Sequence, residues 1–241
     1  GVVAAADLRL PVVSGEQVAH EIVCEQGAVG GEGEATTGVV GIARIRGIPA
    51  ALVQSGPSSA EVSPFCLVVG NVTPNKNIQT VLAAFADLRK SGLECRLIVV
   101  GADRFGLFAK ALNDLPGNLE VELLEHVDDS TLAVLYARAT CLIQGSRYEG
   151  FGLPVLEAMN AGCPVIASDI PALREVGGDA AVYFRPESAA DLANTIRRLF
   201  ENEDFRSQMI KQGHDNSLRF RWRESARQTA ELFDGILRET R

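Results

Sequence analysis

The stretch SRYEGFGLPVLEAMNAGCPVIAS, Ser146 to Ser168, decides how the rest of the chain is read. It carries two glutamates eight positions apart, Glu149 and Glu157, around a glycine-rich turn that runs into a helical pattern. Pro154 suits a first helical turn, where its missing N–H costs nothing, and Gly162 suits the stop. Leu153, Leu156, Glu157 and Met159 predict a short amphipathic helix of roughly two turns, with Glu157 in the first of them. The strand-like run CPVIAS follows at once. Loop, helix start and strand end in this order build an anion-binding corner. The free N–H groups of Gly150, Phe151, Gly152 and Leu153, with the positive end of the helix dipole, would face a phosphate. Gly150 and Gly152 leave the backbone open to a ligand that a side chain would block. Glu157 also has a plainer reading, because a carboxylate near a helix start is ordinarily just a partner of the dipole.

Glu149 and Glu157, with GFGLPVLEAM between and after them, resemble the E-x7-E motif of the family 4 retaining glycosyltransferases, the group 1 glycosyl transferases. The likeness runs on through AGCPVIASDIPALREVGGDAAVYFRP, Ala161 to Pro186. It reaches back to LVVGNVTPNKN, Leu67 to Asn77, which is similar to the family's first strand and phosphate-facing turn. It spans about Phe65 to the C-terminus, which in that family is the nucleotide-sugar-binding half of a GT-B enzyme. One E-x7-E is a weak signal; the ordered set of strings is a specific one.

The bulk properties fit without adding to this. A chain of 241 residues has apolar content for one large domain or two small ones. A net charge of −8 favours neither nucleic acid nor an anionic membrane surface, so local groups would have to hold a phosphate. The five cysteines have no CxxC spacing, and four of them, Cys66, Cys95, Cys141 and Cys163, lie in or beside apolar runs. They read as small core residues in a reducing compartment, with a cytoplasmic setting expected. No run has the length of a transmembrane helix, and no signal peptide is visible.

Residues 1–63 form the expected N-terminal segment. ADLRLPVVSGEQVAHEI reads as a strand, a turn and a helix that Ser14 could cap, faintly similar to the end of the family's N-terminal domain. From Cys24 to Ser63 the composition is that of a linker, loosest at GAVGGEGEATTG, although GIARIRGIPAALVQSG has room for a strand. Residues 64–241 form the expected donor-binding domain. Six apolar runs, FCLVVG, CRLIVVG, LEVELLE, TCLIQG, CPVIAS and AAVYF, alternate with helical periods. That pattern predicts an α/β Rossmann-like domain, a parallel sheet with helices on both faces. Three further helices are predicted after Pro186, the last placing Trp222, Ala226, Thr229, Phe233 and Ile236 along one side.

Ligands of such sheets sit at the carboxyl ends of the strands. In GNVTPNKN the resemblance implies that Lys76 grips the donor diphosphate. Asn71 stands where a basic residue is commoner, which weakens the clamp. The string is no Walker loop, lacking the second glycine and a Ser or Thr after the lysine. His126, where the family usually has an aromatic, could stack on a nucleobase or be a surface residue. Asp128 or Asp129 is expected to cap the next helix. Arg147 could supply the charge that Asn71 does not, or be an exposed arginine. Glu175 is expected at a helix end, with Gly177 and Gly178 as its cap.

The resemblance further implies that Glu157 accepts hydrogen bonds from the ribose hydroxyls, as a carboxylate can. Glu149 holds donor-sugar hydroxyls or steadies charge as the glycosidic bond breaks, the catalytic role. Gly150, Phe151, Gly152 and Leu153 offer N–H groups to sugar and phosphate. The partners implied are a nucleotide-sugar donor and a sugar or glycolipid acceptor, with peripheral membrane association open to an N-terminal part. Cofactor and required metal are not expected, and no His/Asp/Glu cluster has metal-ligand spacing. A nucleotide-sugar-binding module without turnover is the competing reading. A dinucleotide-dependent oxidoreductase is disfavoured, since no G-x-G-x-x-G follows the strands at Val69 or Val100.

Overall fold

The computed structural model describes residues 64–115 and 119–239. The strand, helix and linker expected before Ser63 lie outside the described residues. The six apolar runs form six strands: β1 (Phe65–Val69), β2 (Arg96–Val100), β3 (Val121–Leu124), β4 (Cys141–Gln144), β5 (Val165–Ser168) and β6 (Ala181–Phe184). They join in one sheet of order β3-β2-β1-β4-β5-β6, and every neighbouring pair is parallel. The direction of winding reverses beside β1, where Cys66 pairs with Cys141 and Leu67 with Leu142. This is the Rossmann-like architecture predicted from the alternation.

Successive side chains on a strand point to opposite faces, and the core divides accordingly. Cys66, Val68, Leu97, Val99, Cys141 and Ile143 pack toward helices α1 (Ile78–Lys90), α2 (Leu107–Asn113) and α6 (Ala189–Glu201). Phe65, Leu67, Ile98, Val100, Leu142 and Val165 pack toward α3 (Asp129–Arg138), α4 (Leu153–Asn160) and α5 (Pro171–Gly177). A sheet covered on both faces needs apolar residues at nearly every strand position, which is why its strands read as unbroken runs. Asp128 caps α3 by accepting from the Thr131 amide at 2.7 Å. Cys66, Cys95, Cys141 and Cys163 are free thiols, and Cys66 Sγ lies 3.6 Å from Cys95 Sγ and 3.5 Å from Cys141 Sγ.

After β6 come the three predicted helices, α6, α7 (Glu203–Ser217) and α8 (Trp222–Glu239). α7 crosses α4, and Gly213 makes the close approach possible: a Cβ there would meet Met159 Cγ at 3.2 Å. α8 keeps Trp222, Leu232 and Phe233 exposed. Among the described residues no helix is long and apolar enough to cross a membrane.

The two ends of this packing should respond differently to truncation. Leu142→Ala, in a central strand, is expected to lower the free energy of unfolding by about 2–5 kcal/mol. Phe233→Ala, on a helix position 60% exposed, should stay within about 0.5 kcal/mol of the parent in the same urea titration.

Candidate functional site

Parallel strands bring the loops after β1, β4 and β6 to one edge of the sheet, and the first of them is held by its neighbour. Gly70 donates its N–H to the Val100 carbonyl at 2.8 Å, and Val72 donates to the Ala102 carbonyl at 2.9 Å. Asn71 adds its carboxamide oxygen, which accepts from the Ala102 amide at 3.1 Å. Its side chain therefore ties the β1 and β2 loops together. A 3-10 turn, Pro74–Lys76, then leads through Asn77 into α1. The aliphatic end of Lys76 passes over Gly70, whose φ is +127° and where a Cβ would sit 3.2 Å from Lys76 Cε.

Lys76 reaches across to the β4 loop and donates to Glu149 Oε1 at 2.6 Å. The same oxygen accepts from Ser146 Oγ at 2.7 Å and from Gln144 Nε2 at 2.8 Å. With its side chain 14% exposed, Glu149 is largely withdrawn from water. Burial pushes its carboxyl up, but the bonds from Lys76, Ser146 and Gln144 outweigh this and hold it below the ordinary range. All three bonds fall on Oε1 rather than Oε2.

Gly152 starts α4 with a φ of +106°, a region that glycine enters without strain, and a Cβ there would lie 2.7 Å from Leu173 Cδ2. At Gly150 a Cβ would meet no atom within 4 Å, so that position is open space. Phe151 and Leu153 are 42% and 44% exposed on the same turn. Phe151 also meets Phe220 edge to face, with ring centroids 5.9 Å apart. Glu157 is the fifth residue of α4, not in the first turn as the sequence suggested. The helix begins at Leu153 with Pro154 second, which carries Glu157 just past the first turn of about 3.6 residues. It is exposed, and Tyr136 fixes it from α3 by donating to Oε2 at 2.8 Å. Burial, then the charge of Glu157, push the Tyr136 phenol well up, so it stays a donor.

The predicted residues thus fall into groups. Lys76, Glu149, Arg147 and the Gly150–Leu153 backbone share one rim, and Arg147 donates its amide to the Asn75 carbonyl at 2.8 Å. Asn71 borders that rim through β2. His126 is exposed after β3, which lies two strands from β1 at roughly 4.8 Å per strand. Gln144, Tyr136 and Asn77 are the residues that sequence reasoning missed. Asn77 is 0% exposed and takes the left-handed φ of 56°. Among the described residues no three His, Cys, Asp or Glu side chains group in a way that could hold a metal ion.

The lowered Glu149 carboxyl links stability to acid. Folded Glu149 holds its proton less tightly than the unfolded residue, whose value is about 4.3. Its contribution is therefore present above that value and is lost as the pH falls through the lower folded one. The difference in Tm between the parent and Glu149→Gln should be constant from neutral pH down to about pH 5 and shrink further into acid. A difference that grows in acid would contradict the bonding described.

Comparison with known proteins agrees with this architecture. The pattern of the family "Glycosyl transferases group 1" matches residues 55–216. The chain is 36% identical over 137 residues to the serotype-specific mannosyltransferase WbdA of Escherichia coli, covering 56% of this chain and 17% of that protein. It is 29% identical over 181 residues to the O-antigen chain mannosyltransferase B of Escherichia coli, covering 70% of this chain and 45% of that one. Among solved structures, a sucrose-phosphate synthase from Thermosynechococcus elongatus superposes with a TM-score of 0.62 at 28% identity, over 73% of this chain and 46% of that one. The chain spans less than half the length of each of these. On the family match, which takes in both glutamates and the lysine turn, the chain belongs to the glycosyl transferases group 1.

Proposed function

We propose that this chain is the donor-binding part of an enzyme that transfers a sugar from a nucleoside-diphosphate sugar, with retained configuration, in polysaccharide or glycoconjugate synthesis. The observation that carries the reading is the contact of Lys76 with Glu149 at the mouth of the open glycine turn. A cation, a carboxylate and the backbone of the glycine turn meet on one rim there, which supports a site for a sugar diphosphate. The mannosyltransferases among its relatives favour a mannosyl donor.

In this reading the diphosphate lies against the Gly150–Leu153 amides, with Lys76 and Arg147 offsetting its charge as the bond to the sugar breaks. Fixed positive groups do this work without a required metal. Glu149 Oε2 meets the sugar, close to an oxocarbenium-like centre. Glu157, oriented by Tyr136, accepts from the ribose hydroxyls with the oxygen that the phenol leaves free. The acceptor, a sugar or glycolipid, is bound by parts outside the described residues.

Calorimetry with UDP, GDP and dTDP tests the proposal. Glu157→Ala is expected to weaken the nucleotide that binds by roughly tenfold to a hundredfold, the scale of a lost charge-assisted hydrogen bond. Unchanged affinity would reject the ribose role. Glu149→Gln should retain diphosphate affinity, since it releases Lys76, while losing discrimination among donor sugars. A transfer assay on the same samples separates turnover from binding alone, the second reading: the described domain has the donor side of a cleft, so little transfer is expected from this chain by itself.

A further inference from the structure

A completely buried asparagine stands at the centre of the site's loops. Asn77 donates from Nδ2 to the Gly145 carbonyl at 3.1 Å and to the Pro186 carbonyl at 2.7 Å. Its Oδ1 accepts from Thr80 Oγ1 at 2.9 Å and from Arg147 Nε at 3.2 Å. Two carbonyls on one side and two donors on the other leave one orientation of the amide and use its whole capacity. The loops after β1, β4 and β6 are thereby clamped to a single group.

The bond to Arg147 has a further reach. Lys76 has its charge balanced by Glu149 at 2.6 Å, and Asn71 is neutral with its oxygen engaged. Arg147 is the remaining cation on the rim formed by the β1 and β4 loops. Holding a guanidinium by Nε fixes its plane while leaving both terminal nitrogens to form a fork, the geometry that suits phosphate oxygens. We propose that Asn77 is a positioning residue, which aims the guanidinium of Arg147 at the donor diphosphate through the Nε bond. The inference rests on the nucleotide-binding reading above.

A double-mutant cycle on nucleoside-diphosphate affinity tests it, with the 241-residue chain titrated with UDP, GDP and dTDP and its folding followed in urea. Asn77→Gly keeps a backbone that tolerates positive φ and removes the side chain with all four of its hydrogen bonds, which is why folding is followed alongside. Arg147→Ala should weaken binding roughly tenfold, and Asn77→Gly several-fold. In the Arg147→Ala background Asn77→Gly should change affinity by less than about twofold, because its partner is already gone. Equal losses in both backgrounds would make Asn77 a purely structural residue and overturn the proposal. Arg147→Lys gives an answer that does not depend on the stability of Asn77 variants. Lysine keeps the charge and cannot be held by an Nε while presenting a fork, so it should bind as weakly as Arg147→Ala. Parent-like affinity in Arg147→Lys would overturn the proposal. A parent chain that binds none of the three nucleotides would instead reject the nucleotide-binding reading itself.

Discussion

The clamp at Asn77 is the constraint on which the carboxyl edge of this molecule depends. A parallel sheet guarantees that the loops after its strands gather at one edge, but not that they hold still. Here three of them end on one buried carboxamide, which is fully satisfied and for that reason rigid. The residue before it is the lysine that meets Glu149, and the residue two after Gly145 is the arginine it restrains. A shift in any one loop would break bonds in the other two. Placement of the charged groups is thus built into the backbone crossings beneath them.

The electrostatics above the clamp follow from its geometry. A carboxylate as withdrawn as that of Glu149 would be costly alone, and three donors on one oxygen relieve that. Sharing the load this way leaves the second oxygen without a partner inside the site. The same division recurs at Glu157, where Tyr136 occupies one oxygen and the other is uncommitted. In both cases a neighbouring side chain fixes the carboxylate's direction and spares half of its accepting capacity.

Much of this was legible in the residues and some was not, for reasons that differ. The six strands are legible because a sheet buried on two faces is apolar at nearly every position. That Lys76 and the glycine turn serve one ligand is what the family resemblance implies; that they meet at all is a fact of strand order, in which β1 and β4 are neighbours. The position of Glu157 differs by one residue, enough to carry it past the first turn, because Pro154 is tolerated at either of the first two helical positions and does not mark which. Asn77 was hidden, since an asparagine before a helix reads as an ordinary cap. Its left-handed φ and its partners, 68 and 109 residues away, are tertiary facts. Tyr136 is hidden for another reason, since its ring is an ordinary buried part of the core beneath α3. Only the hydroxyl has another task.

The contact of Lys76 with Glu149 also sets the character of the site before any ligand arrives. A cation waiting in water for a phosphate would attract every small anion in solution. This one already has a tethered carboxylate as its counter-ion, at an effective concentration no free anion can match. A bare phosphate must compete with that internal anion and brings nothing else in return. A molecule that carries a diphosphate, a ribose and a sugar can offset the displaced bond with several others. On the nucleotide-sugar reading proposed above, the resting neutrality of the pair acts as a filter that favours a larger ligand over a bare anion.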